Sequence, residues 1–185
     1  MLPEALLIEQ ARARSLPAWS EIYARHFDQI YKYVYFRVRD PEAAEDISSD
    51  VFVKAFERAD RINQDGAPIV AWLYRIARNA AFDHLRHRVV RQRVEAPGVE
   101  ARSADDAEGV ADRLDTLSAL ARLSLEQQEV LQLRFIQGVP TEQVARVIGK
   151  SEAAVKSIQV RALQELRRQL GVAARRVVTP EGQGI

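Results

Sequence analysis

The sequence contains no cysteine, which excludes disulfides, thiolate metal sites and thiol redox switches. Only three of its 185 residues are histidine, which leaves little for a histidine-based metal site. The longest uncharged run, residues 66–74, is nine residues, whereas a membrane-spanning helix needs ~18. The first residues place no basic segment before an apolar one, so no secretory signal is predicted. These absences favour a cytoplasmic protein that binds no metal or other cofactor.

The net charge is also close to zero, but acidic and basic residues are segregated along the chain. The 27 basic and 26 acidic residues leave a net charge of +1. Residues 95–115 hold seven acidic and two basic side chains, a net of −5, between two mildly basic blocks. Proline, glycine and carboxylates without any aromatic residue are typical of an exposed linker. The sequence therefore predicts two domains, over residues 1–93 and 116–172. A linker over residues 94–115 joins them, and a tail follows over residues 173–185.

The rest of the sequence has helical periodicity, and the alternation typical of strands is not sustained anywhere. Asp40 followed by Pro41 is typical of a helix start, because the carboxylate accepts hydrogen bonds from free N–H groups and proline lacks one to satisfy. Glycine and proline interrupt the pattern at residues 66–68 and 138–140. The predicted class is all-α, with helices over residues 3–14, 17–39, 41–59, 69–90, 125–136, 141–148 and 151–170.

The last two predicted helices have the spacing of a helix-turn-helix. Gly149 lies where the turn needs a positive φ, and Ser151 can cap the helix that follows. The outer face of that helix has short side chains near its start and arginine farther along, which suits entry into a DNA groove. An ordinary αα-hairpin is the alternative. The outer face comprises Ala153, Ser157, Val160, Arg161, Gln164 and Arg168, opposite a predicted core face of Val155, Ala162, Leu163, Leu166 and Leu170.

The helix predicted over residues 69–90 combines arginine with aromatic residues. Its predicted core face consists of Ile69, Leu73, Ile76, Ala77 and Ala80. The opposite face carries Arg75, Arg78, Asn79, Phe82 and Arg86, with Trp72 at the border. This combination suits single-stranded or melted nucleic acid, because bases stack on rings while arginine holds phosphates. The alternatives are core positions for the two aromatic residues and a merely solvated face for the arginines.

The third predicted helix is acidic instead. Five carboxylates fall within eleven residues, with no basic residue among them: Asp40, Glu42, Glu45, Asp46 and Asp50. Some of this charge suits the positive end of a helix dipole. A divalent metal site is an alternative, but the segment has neither a glycine-bearing calcium loop nor a histidine. A docking surface for a basic partner fits the pattern better.

Together these motifs resemble those of bacterial sigma factors of the extracytoplasmic-function group. The resemblance covers residues 17–93 and 117–170 and is carried by four segments: DPEAAEDISSDVF at 40–52, AWLYRIARNAAFDHLR at 71–86, LSLEQQEVLQLRF at 123–135, and AVKS at 154–157 followed by Arg161 and Ala162. Two departures stand out, because Ser49 replaces the glutamine usual in the family, and Ile158 and Gln159 replace an arginine and an aliphatic residue. We expect Ile158 to turn inward, which leaves Lys156 and Arg161 as the main cationic contacts.

The resemblance implies a subunit that joins core RNA polymerase and directs initiation at specific promoters. Core polymerase would bind through its clamp helices and flap, and an anti-sigma factor would be a further partner. The implied polymerase-binding residues are Glu45, Asp46, Ser49, Asp50 and Phe52. The segment from Arg61 to Val70 and the helix after it would melt and read the minus-ten element, with Arg61, Asn63, Trp72, Arg75, Arg78, Asn79, Phe82 and Arg86 as contacts. The last helix would bind the minus-thirty-five element through Ala153, Ala154, Lys156, Ser157, Val160 and Arg161.

Two other functions are compatible with parts of the pattern. A helix-turn-helix regulator that never joins polymerase would use the last helix, but it needs neither the arginine-rich helix nor the acidic one. A metal-dependent hydrolase would use the carboxylates, but the sequence has no nucleophile and base set, phosphate loop or metal-ligand spacing that supports catalysis.

Overall fold

The computed structural model describes residues 2–62, 67–95 and 118–177. Within these ranges the chain forms helices and no strand, so the all-α prediction is confirmed. A 3-10 turn at Ala59–Arg61 follows the third helix, and a π-helical stretch at Gln132–Ile136 continues the fifth. The helices are α1 (Glu4–Arg12), α2 (Leu16–Val38), α3 (Pro41–Glu57), α4 (Ile69–Glu95), α5 (Leu125–Leu131), α6 (Thr141–Ile148) and α7 (Glu152–Val177).

The contacts divide the chain into two compact units. Of the described residues, the first unit contains α1 to α4 and also residues 142–150, whereas the second contains residues 118–141 and 151–177. The predicted linker over 94–115 lies almost wholly outside the described residues. No described helix is both long enough and apolar enough to cross a membrane.

The first unit is built on three helices, α2, α3 and α4, that pack against one another. Burial of their apolar faces removes about 1.5–3 kcal/mol of unfavourable hydration per large side chain. Tyr33 and Tyr74 meet edge to face inside this core, with ring centroids 5.2 Å apart. Burial raises the pKa of the Tyr74 hydroxyl well above its usual range. Other fully buried core residues include Ile22, Ile30, Val34, Val51, Ala55, Leu73 and Ala77.

The start of α3 is capped as its sequence predicts. Asp40 precedes Pro41, and its carboxylate accepts hydrogen bonds from the N–H groups of Glu42 and Ala43 at 3.0 and 3.2 Å. These contacts satisfy donors that would otherwise lack a partner in the first turn, an effect of about 1 kcal/mol. The preceding helix, α2, ends at Val38, and the next residue, Arg39, has a left-handed conformation with φ of 56°. The boundary between α2 and α3 is therefore fixed locally.

The second unit has a core that joins α5 to α7. Leu123, Leu131 and Ala162 are buried together, and Leu120 and Leu166 pack against them. At its start, α5 has a capping box: the Ser124 hydroxyl accepts from the Gln127 N–H at 3.2 Å, and the Gln127 side chain accepts from the Ser124 N–H at 3.0 Å.

Two helices extend beyond their predicted ends. The helix α4 continues to Glu95 rather than Val90, and α7 continues to Val177 rather than Leu170, into the predicted tail. The residues added to α4 contain no glycine or proline and are mostly arginine, valine and glutamine, which the helical backbone accepts. In α7, Gly171 does not stop the helix, because a single glycine costs only about 1 kcal/mol.

Candidate functional site

The acidic surface predicted on α3 is exposed. Glu45, Asp46, Ser49 and Asp50 all face solvent. Asp50 forms an ion pair with Lys54 one turn later, with 3.4 Å between the charged atoms. Within the described part of the chain, Glu45 and Asp46 make no ion pair. The surface therefore presents two uncompensated carboxylates, and the described residues form no cluster of three or more side chains suited to a metal ion.

Phe52, predicted to contact polymerase, is instead buried, with 6% of its surface exposed. Its ring lies 4.9 Å from the ring of Tyr23 and 6.1 Å from that of Phe27, both on α2. The residue lies on the inner side of α3, where Val51 and Ala55 are also buried. Phe52 therefore supports the acidic surface from below and is not part of it.

An aromatic row on α2, which the sequence pattern did not single out, packs against Phe52 of α3. Tyr23, Phe27, Tyr31 and Tyr35 recur every four residues, and their successive ring centroids are 4.7, 6.3 and 6.0 Å apart. Tyr23 and Tyr35 each remain 42% exposed. The i, i+4 spacing was the available signal, since such residues share one side of a helix.

The predicted arginine and aromatic face of α4 is partly accessible. Asn79 and Arg86 are exposed, whereas Arg75, Arg78 and Phe82 are half-buried. The Arg78 guanidinium lies 5.0 Å from the Phe82 ring centroid. Arg37, on α2, lies 5.1 Å from the same centroid and 4.9 Å from that of Tyr33. Two cations thus contact one ring, at a separation where cation–π attraction operates.

Arg37 is a second residue that the sequence analysis missed. It joins the α4 face only through the packing of α2 on α4, which no local pattern reveals. Arg88 also links these helices, because it donates a hydrogen bond to the Val38 carbonyl at 3.3 Å and so satisfies one of the free carbonyls at the end of α2.

Trp72 is placed in the core rather than on the nucleic-acid face. Only 6% of its surface is exposed, and Ala71, Leu73 and Tyr74 beside it are buried as well. The first turns of α4 are therefore covered on several sides, which explains why a residue at the border of the predicted core face is buried. Of the two aromatic residues predicted to stack on bases, only Phe82 is partly accessible.

The segment before α4 is described at its two ends. Arg61 is exposed at the end of the 3-10 turn, and Ile62, Ala67 and Ile69 are buried. Asn63, predicted to contact the minus-ten element, lies outside the described residues. At the start of α4, the Ile69 N–H donates to the Glu4 carboxylate at 3.2 Å.

The turn and helix predicted at the carboxyl-terminal end are present. Gly149 has φ of +70°, and the Ser151 hydroxyl accepts from the Ala154 N–H at 3.2 Å, which caps α7. The predicted outer face of α7 is exposed throughout. Of the other two predicted minus-thirty-five contacts, Lys156 is exposed and Ala154 is half-buried. Along this face, the Ser157 hydroxyl donates to the Ala153 carbonyl at 3.0 Å, and Arg161 Nε donates to the Ser157 carbonyl at 3.3 Å.

The two residues at which α7 departs from the family pattern are both engaged inside the second unit. Ile158 is 4% exposed, so the expectation that it turns inward is confirmed. Gln159 accepts a hydrogen bond from Arg134 at 3.4 Å, and Arg134 also donates to the Val139 carbonyl at 2.6 Å. Neither residue adds to the exposed cationic face, where Lys156 and Arg161 remain.

Farther along α7, Arg168 is held by an acidic neighbour. It donates two hydrogen bonds to Glu165, at 2.6 and 3.0 Å. Arg168, and then Gln169, lower the pKa of Glu165 to about 2 by donating hydrogen bonds to its carboxylate. Arg168 and Arg161 therefore differ in electrostatic environment although both were predicted on one outer face.

Comparison with known proteins finds two family models along the chain. Sigma-70 region 2 matches residues 22–90, and Sigma-70 region 4 matches residues 119–168. The ECF RNA polymerase sigma factor BldN of Streptomyces coelicolor is 36% identical, over 91% of this chain and 66% of its own length. The ECF RNA polymerase sigma factor SigL of Mycobacterium tuberculosis is 30% identical, over 89% of this chain and 97% of its own length.

Solved structures share the fold. The sigma factor RpoE of Bartonella quintana, in a co-crystal structure with the anti-sigma factor NepR, has a TM-score of 0.67 and 26% identity, over 83% of this chain and 96% of its own. CnrH, in complex with the cytosolic domain of CnrY, also has a TM-score of 0.67, at 24% identity over 91% of this chain and 97% of its own.

Proposed function

The chain belongs to the ECF sigma factors of RNA polymerase, and we propose that it directs promoter-specific initiation through three exposed surfaces. The acidic surface of α3 docks on core polymerase, the outer face of α4 holds melted minus-ten DNA, and the outer face of α7 enters the minus-thirty-five duplex. These roles assign the chain no catalytic step, because polymerase carries out the chemistry.

The α4 face is the single observation that carries the proposal. Phe82, contacted by Arg37 and Arg78, offers a half-buried ring beside the exposed amide of Asn79. Stacking on a ring replaces part of the stacking that a base loses when it leaves the duplex, about 1–3 kcal/mol per base. The guanidiniums remain next to that ring to hold the phosphates, so base and backbone are bound at one place.

Docking on polymerase is assigned to Glu45 and Asp46, with Ser49 and Asp50 beside them. The first two carboxylates point to solvent without an ion pair inside the described protein. Binding to a basic surface therefore breaks no existing bond of these groups. Asp50 contributes less under this proposal, because it must share its charge with Lys54.

Upstream recognition is assigned to the exposed face of α7. Its first turns present Ala153 and Ser157, whose small size lets the helix backbone approach base edges closely. Lys156 and Arg161 supply positive charge for phosphates or for a guanine edge. A regulator that never joins polymerase would use this face equally well, so it does not by itself distinguish the two functions.

An anti-sigma factor is proposed as a further partner, and the cytoplasm as the location. Support comes from the fold shared with the B. quintana RpoE, whose co-crystal structure contains the anti-sigma factor NepR. The partly exposed aromatic row on α2, which packs against Phe52 of α3, offers an amphipathic face that such a protein could cover while it blocks polymerase.

Run-off transcription tests the proposal. The protein is added to sigma-free core polymerase with fragments of the genome from which it comes. Selective transcripts that start at a shared pair of elements are expected. DNA binding without any initiation would favour the regulator instead, and neither binding nor initiation would overturn both functions.

A further inference from the structure

The amino-terminal helix α1 lies outside the Sigma-70 region 2 match, which starts at residue 22. It is nevertheless firmly packed. Leu7 and Ala11 are fully buried, and Ile8 nearly so. The Trp19 indole N–H, on α2, donates to the Ala11 carbonyl at 3.0 Å in a buried position. The helix is therefore an integral part of the first unit rather than an appended arm.

The amino end of α1 is tied to α2 by a small polar network. The Leu2 N–H donates to the Glu21 carboxylate at 3.0 Å, and Arg25 donates to the Leu2 carbonyl at 2.7 Å while it pairs with Glu21. The hydrogen bond from Arg25, and then the one from the Leu2 N–H, lower the pKa of the Glu21 carboxyl. Glu4, two residues farther on, thus starts from a fixed position.

From there, α1 reaches the chain on both sides of the segment that joins α3 to α4. It packs against the 3-10 turn that contains Arg61. Just beyond its end, Arg14 donates to the Glu57 carbonyl at 3.2 Å and lies 5.8 Å from the Phe56 ring centroid. At the other side, Glu4 accepts from the N–H of Ile69, the first residue of α4.

The Glu4 contact acts on α4 as an N-cap does, although it comes from a distant part of the sequence. The Pro68 carbonyl accepts from the Ala71 N–H at 3.0 Å, but the Ile69 N–H points away from the helix ladder. An outside carboxylate is favourable at Ile69 for two reasons, because it accepts that hydrogen bond and because its charge suits the helix dipole. Ile69 lies ten residues before Asn79, so the orientation of the reading face depends on where this first turn is held.

We propose that Glu4 is a positioning residue for promoter reading, which fixes the start of α4 relative to the turn that carries Arg61. The inference rests on the proposed function, since it takes these two elements as parts of the minus-ten surface. Glu4 itself touches no DNA in this account. Loss of its carboxylate lets the first turn of α4 fray and so relaxes the choice of base in the minus-ten element.

The experiment compares three full-length variants in transcription from templates that carry each of the four bases at every minus-ten position. Glu4→Ala removes the acceptor, Glu4→Gln keeps an oxygen that can accept from Ile69, and Glu9→Ala removes an exposed carboxylate from the same helix as the matched control. Thermal unfolding, affinity for core polymerase and base preference in the minus-thirty-five element are measured alongside.

Glu4→Ala is expected to reduce discrimination between the best and second base by about five-fold, the effect of losing an ordinary helix cap. Glu4→Gln should recover most of it, and Glu9→Ala should behave as the unchanged protein. The inference would be overturned if Glu4→Ala and Glu9→Ala discriminated equally between bases of the minus-ten element. It would also be overturned if Glu4→Ala lost affinity for polymerase and base preference in the minus-thirty-five element in parallel. If the unchanged protein fails to initiate at all, the proposed function fails first, and the two outcomes are thereby distinguished.

Discussion

Reversing the two uncompensated charges on α3 is the most direct probe of polymerase docking. The double variant Glu45→Lys/Asp46→Lys is expected to weaken binding to core polymerase by about thirty-fold at moderate salt. An exposed ion pair contributes up to about 1 kcal/mol, and reversal replaces attraction by repulsion of similar size. Two such sites change the binding free energy by about 2 kcal/mol or more, and each ~1.4 kcal/mol corresponds to a ten-fold change in Kd.

The substitution is expected to leave the fold intact. Glu45 and Asp46 lie beyond the first turn of α3, so their interaction with the helix dipole is weak. Asp46 also stands four residues from both Glu42 and Asp50, so a lysine there exchanges two like-charge neighbours for two favourable ones, each worth a few tenths of a kcal/mol. Helix content and Tm should therefore stay constant or rise slightly.

Equilibrium binding of labelled protein to core polymerase at several salt concentrations provides the measurement. The control is Glu9→Lys/Asp28→Lys, which makes the same change in net charge at exposed positions of α1 and α2. The difference between the two double variants should shrink as salt rises, because exposed charges are screened. Equal affinity of the double variant and the control, with both folded, refutes the assignment of the docking surface.

Four further outcomes follow from the described contacts. If Arg161 reads a guanine, Arg161→Ala should lose about 1–3 kcal/mol of binding free energy at a single base of the minus-thirty-five element. If Arg161 binds phosphate instead, affinity should fall equally for all sequences, with a weaker dependence of affinity on salt. Competition binding across sequences distinguishes the two results. Asn79→Ala should slow opening of duplex promoters more than of templates already melted at the minus-ten element; equal impairment of both would make this residue scaffold. Gly149→Ala should lower the stability of the helix-turn-helix by about 1 kcal/mol or more in denaturant unfolding, because its φ of +70° strains any residue with a Cβ. The Glu165 carboxylate stabilises the folded protein at pH values above 4.5, its ordinary pKa, and this contribution is lost as the pH falls through about 2. In Arg168→Ala, NMR titration should show the pKa of Glu165 returning towards its ordinary value.

Where the sequence carries its own boundary signals, the fold could be predicted closely. The helix α6 begins and ends at the predicted residues, because Pro140 and Gly149 mark its two ends and its apolar residues recur at helical spacing. Asp40 and Ser151 likewise cap the helices that they were expected to cap. In each case the interaction is made within a few residues of chain, so no knowledge of distant packing was needed.

Burial at the edges of a helix face could not be predicted in the same way. In α7, Val155, Ile158, Ala162 and Gln169 are buried at spacings of three, four and seven, which is a narrow seam. Leu163, predicted in the core, lies outside that seam and is 41% exposed. Hydropathy favoured the leucine, but the position of the neighbouring helix decides which residues are covered.

Contacts between distant segments were beyond the reach of sequence patterns for the same reason. Arg37 approaches Phe82 because α2 and α4 pack together, and Glu4 reaches Ile69 across 65 positions of sequence. Trp72 lies at the border of the predicted apolar face, and only the packing around α4 decides that it is buried. Residue types thus indicated which faces combine arginine with aromatic or small side chains, whereas tertiary structure determines which members of each face are accessible.

The two arginines on the outer face of α7 have different electrostatic neighbours. Arg161 Nε donates to a backbone carbonyl, which orients the side chain without neutralising its positive charge. Arg168 donates to a carboxylate that cancels its charge, so binding a phosphate there first requires breaking two hydrogen bonds to Glu165. Because affinity for DNA grows with the number of phosphates neutralised by free cations, Arg161 should contribute to the salt dependence of binding and Arg168 should contribute little. Under the proposed function, we therefore expect the DNA-binding surface of α7 to lie in its first three turns, where small residues would allow the closest approach to the groove.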